Sequence, residues 1–279
     1  MQKIVIEPGN ENSNYWKDLK NYRGLFYFLA WRDILVRYKQ TVIGILWSIL
    51  RPLLTIIVFT IVFNKLGNFQ SGDEVPYALM VCAGMLPWQF FATAFSEASN
   101  SLIVNANLMT KVYFPRLIVP ASSVIVSFVD FLISLLILAG LFIYYGYMPD
   151  WHILLLPVFM LLATITALGA GLFISALNVK YRDFRYIIPF IVQFGLYISP
   201  VGFSSSVIYD NPGISGIIKS IYALNPMVGV IDGFRWCLLG GGTQLHMNEF
   251  LISIGISLSV LIAGIWYFRR MEKTFADTI

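Results

Sequence analysis

Hydrophobic positions in this chain gather into long blocks separated by short polar stretches, unlike the narrow stripes of a soluble helical domain. Six blocks stand out, roughly 42–63, 77–99, 117–145, 152–177, 187–203 and 249–268. An apolar run of about 20 residues matches the length of a membrane-crossing helix. In lipid, a spanning segment must satisfy its own backbone N–H and C=O groups. The pattern therefore predicts an all-α polytopic membrane protein with six transmembrane helices, the fifth of them short. Residues 204–241 interrupt it with two half-length apolar pieces, "GISGIIKSIYALN" and "PMVGVIDGFRWCLLG", punctuated by Pro212, Gly213 and Asn225-Pro226. Each is too short to cross and too apolar for a solvated loop, which predicts two short re-entrant or interfacial helices.

A different periodicity precedes the first block. At 100° per residue, Trp31, Ile34, Leu35 and Tyr38 share one face of a helix over 31–40, and Arg32, Asp33, Arg37 and Gln40 fall opposite, with Val36 the exception. Such a helix is expected to lie in the membrane plane, its Trp and Tyr at headgroup level. Its basic residues Arg32, Arg37 and Lys39 would face a lipid head group, a diphosphate-linked one included. The chain divides into a cytoplasmic N-terminus with this helix (1–41), a membrane domain (42–268) and a cytoplasmic tail (269–279). The polar start lacks an apolar core followed by a small-residue cleavage site, so no signal peptide is expected.

Composition agrees with the blocks: 58% of the 279 residues are hydrophobic and 12% are charged. The net charge of +4 changes the picture only through its distribution. With both termini inside, the inner face collects fifteen basic residues, among them Lys111, Arg116, Lys180, Arg182, Arg185, Arg269 and Arg270. The outer face receives Lys65, Lys219 and Arg235, and Arg51 lies within the first span. This asymmetry orients a membrane protein, and it removes any need for a nucleic-acid partner. Cys82 and Cys237 are far apart without metal-ligand spacing and read as two packed thiols.

No G-x-x-x-x-G-K-[ST] stretch, H-E-x-x-H, Cys/His cluster or G-x-S-x-G occurs. A phosphate-cradling loop, a metal site and a catalytic residue are therefore not expected in this chain. His152 and His246 both fall on outer-side segments. The intramembrane carboxylates Glu97 and Asp130 fit a structural ion pair or helix contact as well as a functional group. Arg51 lies nine residues into the first span, about 14 Å deep, where a lone charge costs on the order of 3 kcal/mol. Its side chain can snorkel back toward the inner side. That favours Glu97, near the inner end of span two, as its partner over Asp130, which lies about 20 Å deep. Exposure of Arg51 to a polar pore is the rival explanation.

Two inner loops combine charge with apolar and aromatic residues. The first, at 100–116, carries Met109, Lys111, Tyr113, Phe114 and Arg116; the second, at 178–186, carries Lys180, Arg182, Asp183 and Arg185. Orientation explains their charge. Their aromatic content suits a docking surface for a cytoplasmic partner. Aromatic clusters also occur in the spans, including Trp88, Phe91 and Phe95 in the second and Phe194 and Tyr197 in the fifth. They fit helix packing, or a pore wall on which sugar rings stack.

Five stretches in order, "RYKQTVIGILWSILRPLL", "GMLPWQFFATAFSEASNSLIVNANLMTKVYFPRLIVP", "YRDFRYIIPF", "ISPVGF" and "LNPMVGVIDGFRW", give the chain a resemblance to a known family. Over nearly its whole length it resembles the membrane subunit of bacterial ABC-2 type exporters of lipid-linked polysaccharide, such as O antigen, capsule or teichoic acid. Arg51 departs from the neutral polar residue expected at its place. The resemblance implies a homodimeric pore in the bacterial inner membrane, served by two copies of a cytoplasmic ABC ATPase that holds the MgATP. It implies coupling helices at 100–116 and 178–186, and outer gate helices at 204–241 containing Pro226 and Gly233. Export of a drug or an unglycosylated lipid by the same fold stays open. A membrane-embedded enzyme would need a carboxylate or histidine cluster, and an ion-coupled transporter would need paired broken helices.

Overall fold

The computed structural model describes residues 11–39, 44–62, 75–181, 183–240 and 245–275, all helical or connecting segments. Twelve α-helices follow in chain order: α1 Glu11–Asn21, α2 Arg23–Lys39, α3 Gly44–Phe59, α4 Tyr77–Val104, α5 Ala106–Lys111, α6 Ile118–Tyr145, α7 Leu156–Lys180, α8 Phe184–Ile198, α9 Ser206–Tyr209, α10 Gly216–Ala223, α11 Pro226–Leu239 and α12 Met247–Glu272. Among the described residues four helical stretches are long and apolar enough to cross a membrane: α4, α6, α7 with the 3₁₀ turn before it, and α12. The first and fifth expected spans are shorter. α3 continues in a π-helical turn to residue 62, so its described part reaches about 28 Å. α8 has 15 residues, about 22 Å, less than the hydrocarbon thickness of a bilayer.

Local chemistry sets several of the ends. Gly146 takes φ +65 after α6, and its N–H and that of Tyr147 return to the Ile143 and Phe142 carbonyls, a left-handed helix stop. Asn225 caps α11 by accepting from the Met227 N–H at 3.1 Å, with Pro226 in the first helical position. The interruption over 204–241 is thus two short helices, α10 and α11, with the single turn of α9 before them.

α4 is the axis of the bundle, buried over most of its length and flanked by α6, α7 and α11. The packing relies on missing side chains. A Cβ on Gly264 of α12 would stand 2.2 Å from the Gly169 carbonyl of α7, and one on Gly171 would stand 2.6 Å from Ala98 of α4. Small residues at such crossings bring helix backbones together where lipid supplies no hydrophobic drive. Thr166 donates to Ser257 at 2.9 Å across the same α7–α12 seam. Cys82 and Cys237 are both buried and free. Outside the bundle, α6 and α12 leave Leu136, Ile143, Ile262 and Trp266 more than half exposed, a surface suited to lipid.

A second, smaller core closes the end of the bundle that carries α5. It joins Leu29 of α2, Leu102, Met109, Phe114, Ile118 and Leu172 to Phe268 and Phe275.

Candidate functional site

The helix expected over 31–40 is the second half of α2, and it contacts α4 and α6 through its charged side chains. Arg32 donates to the Asn105 side chain at 2.8 Å, just beyond the end of α4, and Arg37 meets Glu97 at 3.6 Å. α2 packs along α6 and reaches α4 through these two side chains. Arg37 also meets Asp130 of α6 at 3.2 Å, and the Tyr38 hydroxyl donates to the same carboxylate. The charged face of α2 therefore turns into the protein. Trp31 is 51% exposed and stacked on Tyr27, and Lys39 is exposed. Tyr38 and Arg37, expected at the headgroups, hold α2 to α6 through Asp130.

Arg37 meets both intramembrane carboxylates and so brings Glu97 and Asp130 together; the expected pairing of Glu97 with Arg51 falls on a side chain outside the described residues. A usable signal lay in the pattern, since Arg32, Asp33 and Arg37 share one face. What it lacked was the direction in which that face points. A cavity of about 310 Å³ opens between α2, α4 and α6, lined among others by Arg32, Asp33, Arg37, Glu97, Asn105 and Ser123. Arg32 is also bound to Asp33 at 2.7 Å, so the cavity's guanidiniums are neutralised within the protein.

At the α5 end, the residues grouped as docking candidates separate. Met109 and Phe114 are 7% and 4% exposed and belong to the small core. They anchor the loop and have no surface left for a partner. Arg116 ties the loop to the end of α12: its backbone N–H donates to Glu272 Oε1 at 2.8 Å and its guanidinium to the Glu272 carbonyl at 2.7 Å. What remains presented is Lys111, Val112 and Tyr113, the last 69% exposed. Lys180, Asp183 and Arg185 are exposed as well, with Lys180 over the Tyr181 ring, and Arg182 lies outside the described residues. Both patches occupy one end of the bundle, because the Asn178 amide of α7 donates to the Ser99 carbonyl of α4 at 3.1 Å. Sequence reasoning did not anticipate α1 here. Tyr15 lies under the Arg269 guanidinium at 4.3 Å, and burial and the neighbouring Glu272 push its hydroxyl pKa up.

The aromatic candidates separate in the same way. Trp88, Phe91 and Phe95 are core residues, 4%, 8% and 1% exposed, so they pack α4 and do not line a path. Trp88 fills the space over Gly195 of α8, where a Cβ would stand 2.5 Å from the ring. Phe194 and Tyr197 are 50% and 64% exposed and continue a stripe through Phe190 and Tyr186. Intervals of four, four and three residues put all four rings on one side of α8, and Phe190 and Phe194 stack at 4.1 Å. Gly233, expected in a gate, is a packing position: a Cβ there would lie 1.9 Å from the Phe159 ring of α7.

At the opposite end from α5, α11 is buried almost throughout and carries Asp232 and Arg235, 9% and 2% exposed. Arg235, counted from sequence as an outer-loop charge, is instead enclosed between α4, α11 and the turn after α8. An apolar half-helix gives no hint that its one arginine points inward.

Among the described residues no group of His, Cys, Asp and Glu could hold a metal ion. The arrangement offers an exposed aromatic helix face, a buried segment at one end and two exposed patches at the other. Comparison with known proteins points the same way. Residues 24–239 match the profile of the ABC-2 type transporter. The chain is 31% identical to the O-antigen export system permease protein RfbA of Myxococcus xanthus, over 94% of this chain and 98% of that one. To an RfbA of Klebsiella pneumoniae it is 27% identical, over 89% and 92%. To the capsule polysaccharide export inner-membrane protein CtrC of Neisseria meningitidis serogroup B it is 24% identical, over 94% and 96%. An all-helical bundle matched over most of its length by that profile, and over nearly all of it by these permeases, belongs to the ABC-2 type transporter family as a membrane subunit.

Proposed function

We propose that this chain is the permease of an exporter that carries a lipid-linked polysaccharide, O antigen or capsule, to the outer face of the bacterial inner membrane. The observation that carries the reading is the near end-to-end similarity to permeases named for O-antigen and capsule export. Two copies would form the pore, with the α8 stripe of Tyr186, Phe190, Phe194 and Tyr197 facing it. Aromatic faces are apolar and tolerant, so sugar rings can stack on them while a chain slides past. A separate ABC ATPase would bind MgATP and dock on Lys111–Tyr113 and Lys180–Arg185; the sequence itself carries no phosphate-binding loop. Both termini would then be cytoplasmic, α5 would lie inside, and α9–α11 would close the outer face.

The test is depletion of this protein in its own host. Lipid-linked polymer should accumulate inside the cell and disappear from the surface, and resupply of the chain together with its ATPase should restore it. Unchanged surface polymer would refute the reading. Single cysteines at Tyr113 and Arg185 should label only from the cytoplasmic side; labelling from outside would invert the orientation.

A further inference from the structure

The turn that joins α8 to α9 is bonded in an unusual way for a connection. Its successive carbonyls at Val201, Gly202 and Phe203 all accept from side chains. Arg235 Nη2 donates to the Val201 carbonyl at 2.8 Å and Nη1 to that of Phe203 at 2.7 Å. Nε of the same guanidinium reaches the Met80 carbonyl of α4 at 3.3 Å. The Tyr77 hydroxyl of α4 donates to the Gly202 carbonyl at 2.5 Å. At the near edge of the turn, the Asn225 amide donates to Ser199 Oγ at 2.9 Å. At the far edge, Ser205 hydrogen-bonds Asp232, which stands one helical turn before Arg235.

A guanidinium this enclosed is costly to desolvate unless its donors are met and a counter-charge is near. Here three of its N–H groups meet carbonyls, and the Asp232 carboxylate lies one helical turn away. The planar fork matters more than the charge, because an ammonium cannot span three divergent carbonyls. Space for the fork is made by Gly84 of α4, where a Cβ would stand 2.7 Å from Arg235 Nη2. Buried ion pairs can often be exchanged for apolar residues without loss of stability. Holding α11, α4 and the turn in one geometry is a task that packing alone does less specifically.

We infer that Arg235 is a positioning residue, a latch that makes the aromatic helix α8 and the closing segment α9–α11 move as one body. This rests on the export reading above. With the latch intact, α8 cannot shift without drawing α11 and the start of α4 along, since the turn after α8 is tied to both. Opening of the segment is thereby linked to movement of the surface on which the polymer slides.

The experiment uses the full complex of this chain with its ATPase in proteoliposomes. It records polymer exported per ATP hydrolysed and leakage of a small fluorescent solute without ATP. Wild type that exports no polymer would count against the export reading alone, because solute leakage still reports on the latch. Arg235→Lys should lower export per ATP by about tenfold and raise leakage, and Tyr77→Phe should shift both in the same direction by about threefold. Gly84→Ala, which displaces the guanidinium, should resemble Arg235→Lys. A purely structural role would reduce the amount of assembled complex and leave the ratio alone. Assembled Arg235→Lys and Tyr77→Phe complexes with wild-type ratio and leakage would overturn the latch. Should Arg235→Lys fail to assemble, Tyr77→Phe and Gly84→Ala decide on the same criteria.

Discussion

Arg37 touches two carboxylates, and the structure predicts that they count unequally. The separations are 3.2 Å to Asp130 and 3.6 Å to Glu97. With an effective dielectric near 20, each gives an attraction of about 5 kcal/mol before desolvation, so distance alone does not separate them. Solvent access does. The Glu97 side chain is 50% exposed and that of Asp130 18%. An ion pair open to water is worth about 0.2–1 kcal/mol, whereas partners enclosed in one network couple by about 2 kcal/mol. Two double-mutant cycles, Arg37→Gln with Asp130→Asn and Arg37→Gln with Glu97→Gln, measured by equilibrium unfolding in mixed micelles, should therefore give coupling near 2 kcal/mol for the first and below about 0.5 kcal/mol for the second. Equal couplings, or a larger one for Glu97, would show that exposure does not govern this cluster. Loss of Arg37 should also loosen α2 from α4 and α6, detectable as faster proteolysis near residue 30.

Gly233→Ala should be among the most damaging small substitutions, because its Cβ would lie 1.9 Å from Phe159; overpacking of this kind costs about 3 kcal/mol. Thermal melting should fall and be partly recovered in the double variant Gly233→Ala/Phe159→Ala, and an unchanged melting temperature for the single variant would contradict the packing. The neighbours Tyr113 and Phe114 should behave oppositely. Phe114→Ala empties a core position and should cost about 3–5 kcal/mol. Tyr113→Ala should leave stability within about 0.5 kcal/mol while weakening co-purification of the ATPase. Tight ATPase binding by Tyr113→Ala would remove this residue from the docking face.

Much of the architecture was legible along the chain because a bilayer imposes a length on apolar segments. The stretches around α4, α6, α7 and α12 announce themselves by composition. Pro212, Gly213 and Asn225-Pro226 cluster in the broken region, where they fall between helices or at a helix start, whereas the isolated Pro87 and Pro189 lie within α4 and α8. The Asn225 cap and the Gly146 stop are likewise local chemistry. The family resemblance was readable for a related reason, since motif order along the chain survives without knowledge of contacts.

The tertiary structure alone decided which way each face turns. Periodicity places Arg32 and Arg37 opposite Trp31, yet only the packing of α2 on α6, beside α4, directs the charges inward and the tryptophan outward. Trp88, Phe95, Phe194 and Tyr197 look alike as aromatic residues in apolar helices. The first two are core because α4 is surrounded on all sides, and the last two are exposed because only one side of α8 packs against α4. Met109 and Tyr113 share one short loop, and the phenylalanines of α12 and the tail bury the first and not the second. Arg235 shows the difference most sharply. Its helix is amphipathic toward nothing in its own sequence, and its three acceptors come from residues 80, 201 and 203, far away along the chain. Periodicity reports that a side chain has a face; what that face meets depends on long-range packing, which no local pattern encodes.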